Sequence, residues 1–177
     1  MDSASESLLY LSETDEVDLV QRLISDNVDI NSKDEDGNSA IHRAVKENKV
    51  DVLKLLLENE ANINAINKEG NTALHVAILN SSIACFQLLI DHKIEINCFN
   101  NRKESELMCA MRLRLNGPLK HVRQQMIELL INHEDIDLRG KSDKSKSMLD
   151  GSNYLFIAIQ FGNIFAVEKI LEKDVKL

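Results

Sequence analysis

Tryptophan is absent, aromatic residues make up 4% of the chain, and there is one proline. So few rings leave no stacking platform for single-stranded nucleic acid. One proline and six glycines supply too little turn chemistry for an all-β fold or for flexible linkers. Long apolar runs are missing as well. Leu55-Leu56-Leu57 is typical, whereas a membrane-spanning helix needs about 20 apolar residues. The opening Met1-Asp2-Ser3-Ala4-Ser5-Glu6 is acidic and lacks the basic start and apolar stretch of a signal peptide. Cysteine is scarce. Cys85, Cys98 and Cys109 are odd in number and show no CxxC spacing, which argues against a disulfide framework and fits a reducing cytosol.

What is present is ordinary for a folded chain: 177 residues, 44% hydrophobic and 28% charged, with a formal net charge of -8. That length suits one domain. Charge is unevenly spread. Residues 1–66 carry 15 acids and 6 bases, whereas residues 67–147 carry 10 acids and 12 bases. The acidic N-terminal part would repel a phosphate backbone, so nucleic acid is not the expected partner.

An internal repeat organises the chain. Asp34-Glu35-Asp36-Gly37-Asn38-Ser39-Ala40-Ile41-His42-Arg43-Ala44 recurs as Asn67-Lys68-Glu69-Gly70-Asn71-Thr72-Ala73-Leu74-His75-Val76-Ala77, with the two glycines 33 apart. Leu55-Leu56-Leu57 aligns with Leu88-Leu89-Ile90, and Ile30-Asn31, Ile63-Asn64 and Ile96-Asn97 keep the same period. Each repeat reads as two helices and a turn. Ser39 and Thr72 fall at N-cap positions, where a hydroxyl accepts an orphan backbone N–H. Gly37 and Gly70 supply the positive φ of a tight turn. Ala61-Asn62-Ile63-Asn64 is expected to run extended into the next turn.

The 33-residue period, the Gly70-Asn71-Thr72-Ala73-Leu74-His75-Val76-Ala77 core and the paired leucines resemble ankyrin repeats. Ala73 stands where the family usually has proline. The resemblance is strong over residues 34–99. It implies an all-α solenoid of about five stacked helix–turn–helix units with short hairpin fingers, spanning 1–177 as one domain. The units are 1–33 (a divergent N-terminal cap), 34–66, 67–99, 100–139 with an insertion, and 148–177. The insertion sits around Arg112–Lys120, and a second polar stretch covers Lys141–Ser147. Residues 113–121 and 140–147 are expected to protrude. Tyr154, Leu155, Phe156, Ile157, Ile159, Phe161, Ile164, Phe165, Val167, Ile170 and Leu171 are hard to hide on one side of the last unit. An open apolar face there would be covered by more chain or by self-association.

No catalytic pattern emerges. His42 and His75 share a repeat position, and the resemblance implies that they brace the turn rather than ligate a metal or move protons. His92, His121 and His133 lack partners at zinc spacing. Asp34, Glu35 and Asp36 lack the ligand spacing of a calcium loop. Cys85 and Cys109 read as small core residues, and no phosphate-binding loop is present. No cofactor or metal is expected, and the chain is not expected to be an enzyme.

Binding is expected instead. By the resemblance, the concave surface presents Glu35, Asp36, Asn38, Lys46 and Glu47, then Lys68, Glu69, Asn71, Leu79 and Asn80, then Arg102, Lys103, Glu104 and Arg112. These vary from unit to unit while the framework repeats. The reading is a non-enzymatic module that binds a partner protein as inhibitor, decoy or scaffold, with no nucleic acid or membrane as partner. The 177 residues are taken up by repeats, with no appended adaptor segment. The alternative is the substrate-docking N-terminal part of a longer enzyme or adaptor. The 17 Asn, 17 Ile and 14 Lys hint at an A+T-rich genome, as in viral or bacterial proteins acting inside host cells. A cytoplasmic location is expected, including host cytosol or nucleus.

Overall fold

In the computed structural model, residues 3–113, 117–138 and 154–174 are described. They form ten α-helices in five consecutive pairs, with no regular strand among them. An isolated antiparallel bridge joins Lys33 and Ser39. The chain is all-α, as the repeat pattern requires. Its contacts gather into two compact units, Met1–Glu95 with Phe99–Lys103, and Ile96–Cys98 with Glu104–Leu177.

The first unit holds α1 (Ser3–Leu11), α2 (Val17–Ser25), α3 (Ala40–Lys46), α4 (Val50–Glu58), α5 (Ala73–Asn80) and α6 (Ile83–Asp91). Odd-numbered helices pack as one row, α1 on α3 on α5, and even-numbered helices as a second, α2 on α4 on α6. Leu8, Val20, Ile41, Leu53, Leu56, Leu74, Phe86 and Leu89 are buried in this unit. Removing such a side chain from water contributes about 1.5–3 kcal/mol. The helices are short, at seven to nine residues, and would be marginal in isolation. They persist through packing and through positive-φ residues that end the helices cleanly, such as Asn48 and Glu60.

The asparagines of the Ile-Asn pairs tie one repeat to the next. Asn31 Oδ1 accepts from the Asn62 amide at 2.8 Å and Asn64 Oδ1 from the Glu95 amide at 3.0 Å. Asn97 Oδ1 does the same for the Asp137 amide at 3.2 Å in the second unit. The linker after α4 is not extended throughout. The Ala65 amide donates to the Asn62 carbonyl at 3.2 Å, closing a tight turn over residues 62–65. Asn62 Oδ1 also accepts from the Asn64 amide, an Asx turn that competes with extended chain.

The second unit holds α7 (Glu106–Arg112), α8 (Lys120–Asn132), α9 (Tyr154–Gln160) and α10 (Ile164–Asp174). Here α9 packs on α7, and α10 packs on both α8 and α9. Part of the expected protrusion is helix instead. After Gly117-Pro118 the chain turns, the Lys120 amide donates to the Gly117 carbonyl at 3.2 Å, and α8 runs from there for 13 residues against nine in α4 and α6. The extra residues lengthen the second helix of this pair. Positions 114–116 and 140–147 lie outside the described residues.

Where the repeat loses its histidine, another contact fills the place. Ser105 caps α7, accepting from the Met108 amide at 3.3 Å, and its hydroxyl lies 2.8 Å from the buried Tyr154 hydroxyl. Tyr154→Phe is therefore expected to cost about 1 kcal/mol of second-unit stability, measurable by urea unfolding. An unchanged midpoint would show the hydroxyl pair to be idle.

Candidate protein-binding groove

The groove lies in the first unit. Its floor is the exposed side of α3 and α5, and its lip is formed by two stacked turns. In the first turn Asp34 Oδ1 accepts from the amides of Asp36 (2.9 Å) and Asn38 (2.7 Å), and the Gly37 amide donates to the Asp34 carbonyl. Asn67 repeats the pattern for Glu69 and Asn71, both at 3.0 Å. The turns are joined through backbone: the Lys68 amide donates to the Asp36 carbonyl and the Asn101 amide to the Glu69 carbonyl, each at 2.9 Å. Asparagine side chains add a second ladder, Asn67 to Asn38 (2.9 Å) and Asn100 to Asn71 (3.0 Å).

His42 locks the lip to the floor. Its Nδ1 accepts from the Ser39 amide at 3.2 Å, so Nε2 carries the proton and donates to the Asn71 carbonyl at 3.1 Å. Burial holds its pKa below the ordinary value, which keeps the ring neutral. Thr72 and His75 form the same capping box on α5. Both histidines are buried and act as struts, as the family resemblance implies. Among the described residues no cluster of three metal-binding side chains occurs, and no helix is long and apolar enough to cross a membrane. Burial pushes the Cys85 and Cys109 thiols up to about 12, so neither is a nucleophile at neutral pH.

Between lip and floor is a space of about 660 Å³, lined by Asp36, Asn38, Lys46, Lys68, Glu69, Asn71, Leu79 and Asn80 from the sequence-derived set, together with Glu13, Asp34, His42, Arg43, Asn67 and Val76. The structure thus brings together eight of the fourteen expected residues. Two of these eight are turned to internal work. Asn38 and Asn71 are held in the side-chain ladder, and Asn71 is buried. Glu35 and Glu47 are exposed but do not line the space. Arg102 and Lys103 lie exposed on the third turn of the first unit, where Lys103 takes the position of Gly37 and Gly70 with φ 61. Glu104 and Arg112 belong to the second unit and pair with each other at 2.6 Å.

Sequence reading missed Arg43. It bridges Asp34 at 2.8 Å and Glu13 at 2.9 Å, fixing one wall of the groove. Burial raises the Asp34 pKa, but the Asn38 amide and the Arg43 guanidinium outweigh it and hold the carboxyl below its ordinary range. The available signal was spacing: Arg43 follows the Ser39 cap by four residues, one turn into α3, where it can reach back over the Asp34 turn.

The stacked turns, the capping boxes and the helix pairs recur with the sequence period. A family model for ankyrin repeats in three copies matches residues 8–100, more than half of the chain. The chain belongs to the ankyrin-repeat family. No curated protein matches it. Ankyrin repeats are generally protein–protein interaction modules and are typically non-catalytic. The family match begins at Leu8, near the end of α1, and covers all of α2, so it reaches into the divergent first helix pair.

Proposed function

We propose that this ankyrin-repeat protein binds an exposed segment of one partner protein in the groove of its first unit, as an inhibitor, decoy or scaffold. The observation that carries the reading is the division of labour across the groove. Asn38, Asn71 and His42 are spent on the frame, while Asp36, Lys46, Lys68 and Leu79 stand exposed on the rim and floor. Mixed charges around an exposed leucine supply orientation and an apolar contact together. The setting is the cytosol or nucleus of the cell in which the protein acts, including that of a host, where thiols stay reduced.

The test is a paired variant, Lys46→Glu with Leu79→Asp, compared with the native chain in capture from cytosolic extract. The partner recovered by the native chain should fall at least about tenfold with the variant, the loss of about 1.4 kcal/mol or more. Helicity and unfolding midpoint should stay the same, since both positions are exposed. Undiminished recovery of the same partner would overturn the groove as its site.

A further inference from the structure

We infer that the segment held in the groove is extended and bipolar, with basic side chains against the first turn, acidic side chains against the third, and an apolar side chain between them on Leu79. The inference rests on the groove reading above and adds the chemistry of the segment.

Three turns stack in order along the lip of the first unit. The Lys68 amide is bonded to the Asp36 carbonyl and the Asn101 amide to the Glu69 carbonyl, each at 2.9 Å. Phe99–Lys103, which holds the third turn, belongs to the same unit. Asp36, Glu69 and Arg102 are therefore equivalent, one repeat apart, and Lys103 stands where Gly37 and Gly70 stand. The first tip carries two acids, Glu35 and Asp36. The second carries one base and one acid, Lys68 and Glu69. The third carries two bases, Arg102 and Lys103, and all six side chains are exposed. Charge along the lip thus runs from negative through zero to positive.

The chain does not use up these charges itself. Arg43 is matched by Asp34 and Glu13, Lys46 by Glu47 at 3.7 Å, and Lys49 by Asp15 at 2.6 Å. Lys33, beside the first turn, donates to the Ile66 carbonyl at 2.8 Å. Among the described residues Glu35, Asp36, Lys68 and Arg102 enter no ion pair.

The order of the signs selects the occupant. A uniformly basic segment is attracted at the first turn and repelled at the third, and a uniformly acidic one meets the reverse. A segment whose own charge changes sign along its length is attracted at both ends. Its length follows from the fold. Successive tips are spaced like packed helices, about 8–10 Å per repeat. Two steps cover about 16–20 Å, which is about five or six residues of extended chain. Leu79 fixes the middle. It is 39% exposed on α5, in the same repeat as the second turn, and lines the same space as Asp36 and Lys68. The net charge of -8 would by itself favour a basic ligand, so preference for a neutral, bipolar one isolates the order of charges on the lip.

Amide NMR titration of the full chain at low salt tests this with blocked heptapeptides. The bipolar peptide has two lysines, a leucine flanked by alanines, and two glutamates, and a second has the same residues in reverse order. A third has the same composition with its charges alternating. Two more have only lysine, or only glutamate, at the charged positions. One of the two bipolar orders should bind the native chain about tenfold tighter than the alternating and the uniform peptides. Its shifts should centre on the three tips and Leu79. Glu35→Lys with Asp36→Lys makes the lip basic at both ends, so the glutamate peptide should overtake the bipolar one. Lys68→Glu with Arg102→Glu should let the lysine peptide overtake it instead. A loss of fold would weaken every peptide alike and could not produce these opposite rankings. Equal affinity for bipolar and alternating peptides overturns the inference, as does a uniform peptide binding the native chain best. So does the absence of shifts at the tips with either bipolar order at millimolar peptide. The groove reading is judged separately, by the partner that the Lys46→Glu and Leu79→Asp variant fails to recover. Loss of that partner alongside indifferent peptides would remove the charge order and leave the groove.

Discussion

Gly70→Ala is expected to lower the stability of the first unit by about 3 kcal/mol, while Gly162→Ala costs about 1 kcal/mol. Both glycines have positive φ, +74 at Gly70 and +63 at Gly162. A side chain in that region costs about 1–2 kcal/mol in either place. The difference lies in the space. A Cβ at Gly162 meets nothing within 4 Å, whereas at Gly70 it would lie 2.9 Å from the Asn101 amide nitrogen and 3.2 Å from the Asn100 Cα. Those atoms are backbone of the next turn, and the same amide donates to Glu69. Relieving the clash breaks that bond and leaves a polar group without its partner, which adds about 1–3 kcal/mol. Urea unfolding of the two variants, followed by helicity, checks the contrast. Equal losses would show that the turns tolerate separation and that the backbone ladder contributes little.

The second unit is expected to lose stability as pH rises from about 4.5 to about 7, and Glu106→Gln is expected to abolish that loss. Glu106 is the first residue of α7 and is buried. Its carboxylate accepts from the Cys98 amide at 3.2 Å, yet burial pushes its pKa up to about 7 from an ordinary 4.5. The folded state then holds a proton that the unfolded chain has released, so stability falls through this window and levels off above it. Below 4.5 both states are protonated and the group is neutral toward folding. The full swing is at most about 3 kcal/mol, since each pKa unit corresponds to 1.36 kcal/mol. Tyr154 gives a local readout, because the chain has no tryptophan and two tyrosines, and Tyr10→Phe leaves the buried one alone. His42 works in the opposite sense. Its lowered pKa makes the first unit lose stability as pH falls below the ordinary histidine value near 6.5. A Glu106→Gln chain with the native pH profile would show that the carboxyl does not carry the effect.

The residues that were legible in advance are those whose job repeats. Gly37 and Gly70, Ser39 and Thr72, His42 and His75 recur because each repeat solves the same local problem of turn, cap and strut. Periodicity therefore located the helices and most of the core. Glu106 was hidden for the converse reason. It stands where Ala40 and Ala73 stand, within an apolar-looking stretch, and only packing shows that its carboxylate is turned to the backbone of residues 97–98. Tyr154 looked like surplus apolar surface until its hydroxyl met Ser105. At the groove, Asn38 and Asn71 were expected to face a partner because they flank a glycine. The same flanking position places their amides within reach of Asn67 and Asn100 one repeat along, and the ladder claims them.

The way the turns are joined also bears on how this surface can diverge. Asp36 and Glu69 offer their main-chain carbonyls to the following turn, and Lys68 and Asn101 answer with main-chain amides. Nothing in that linkage depends on what the side chains at 35, 36, 68 and 69 happen to be. The exposed lip at 35, 36 and 68 can be rewritten residue by residue at little thermodynamic cost, proline at 68 excepted, provided the glycines and asparagines beneath it stay, whereas Glu69 is tied in, its carboxylate accepting from the Asn71 side-chain amide at 2.8 Å. A library randomised at positions 35, 36 and 68 should retain the fold in most members. Such a scaffold is evolvable at its rim, and the same property makes the chain a ready starting point for selecting binders to new targets.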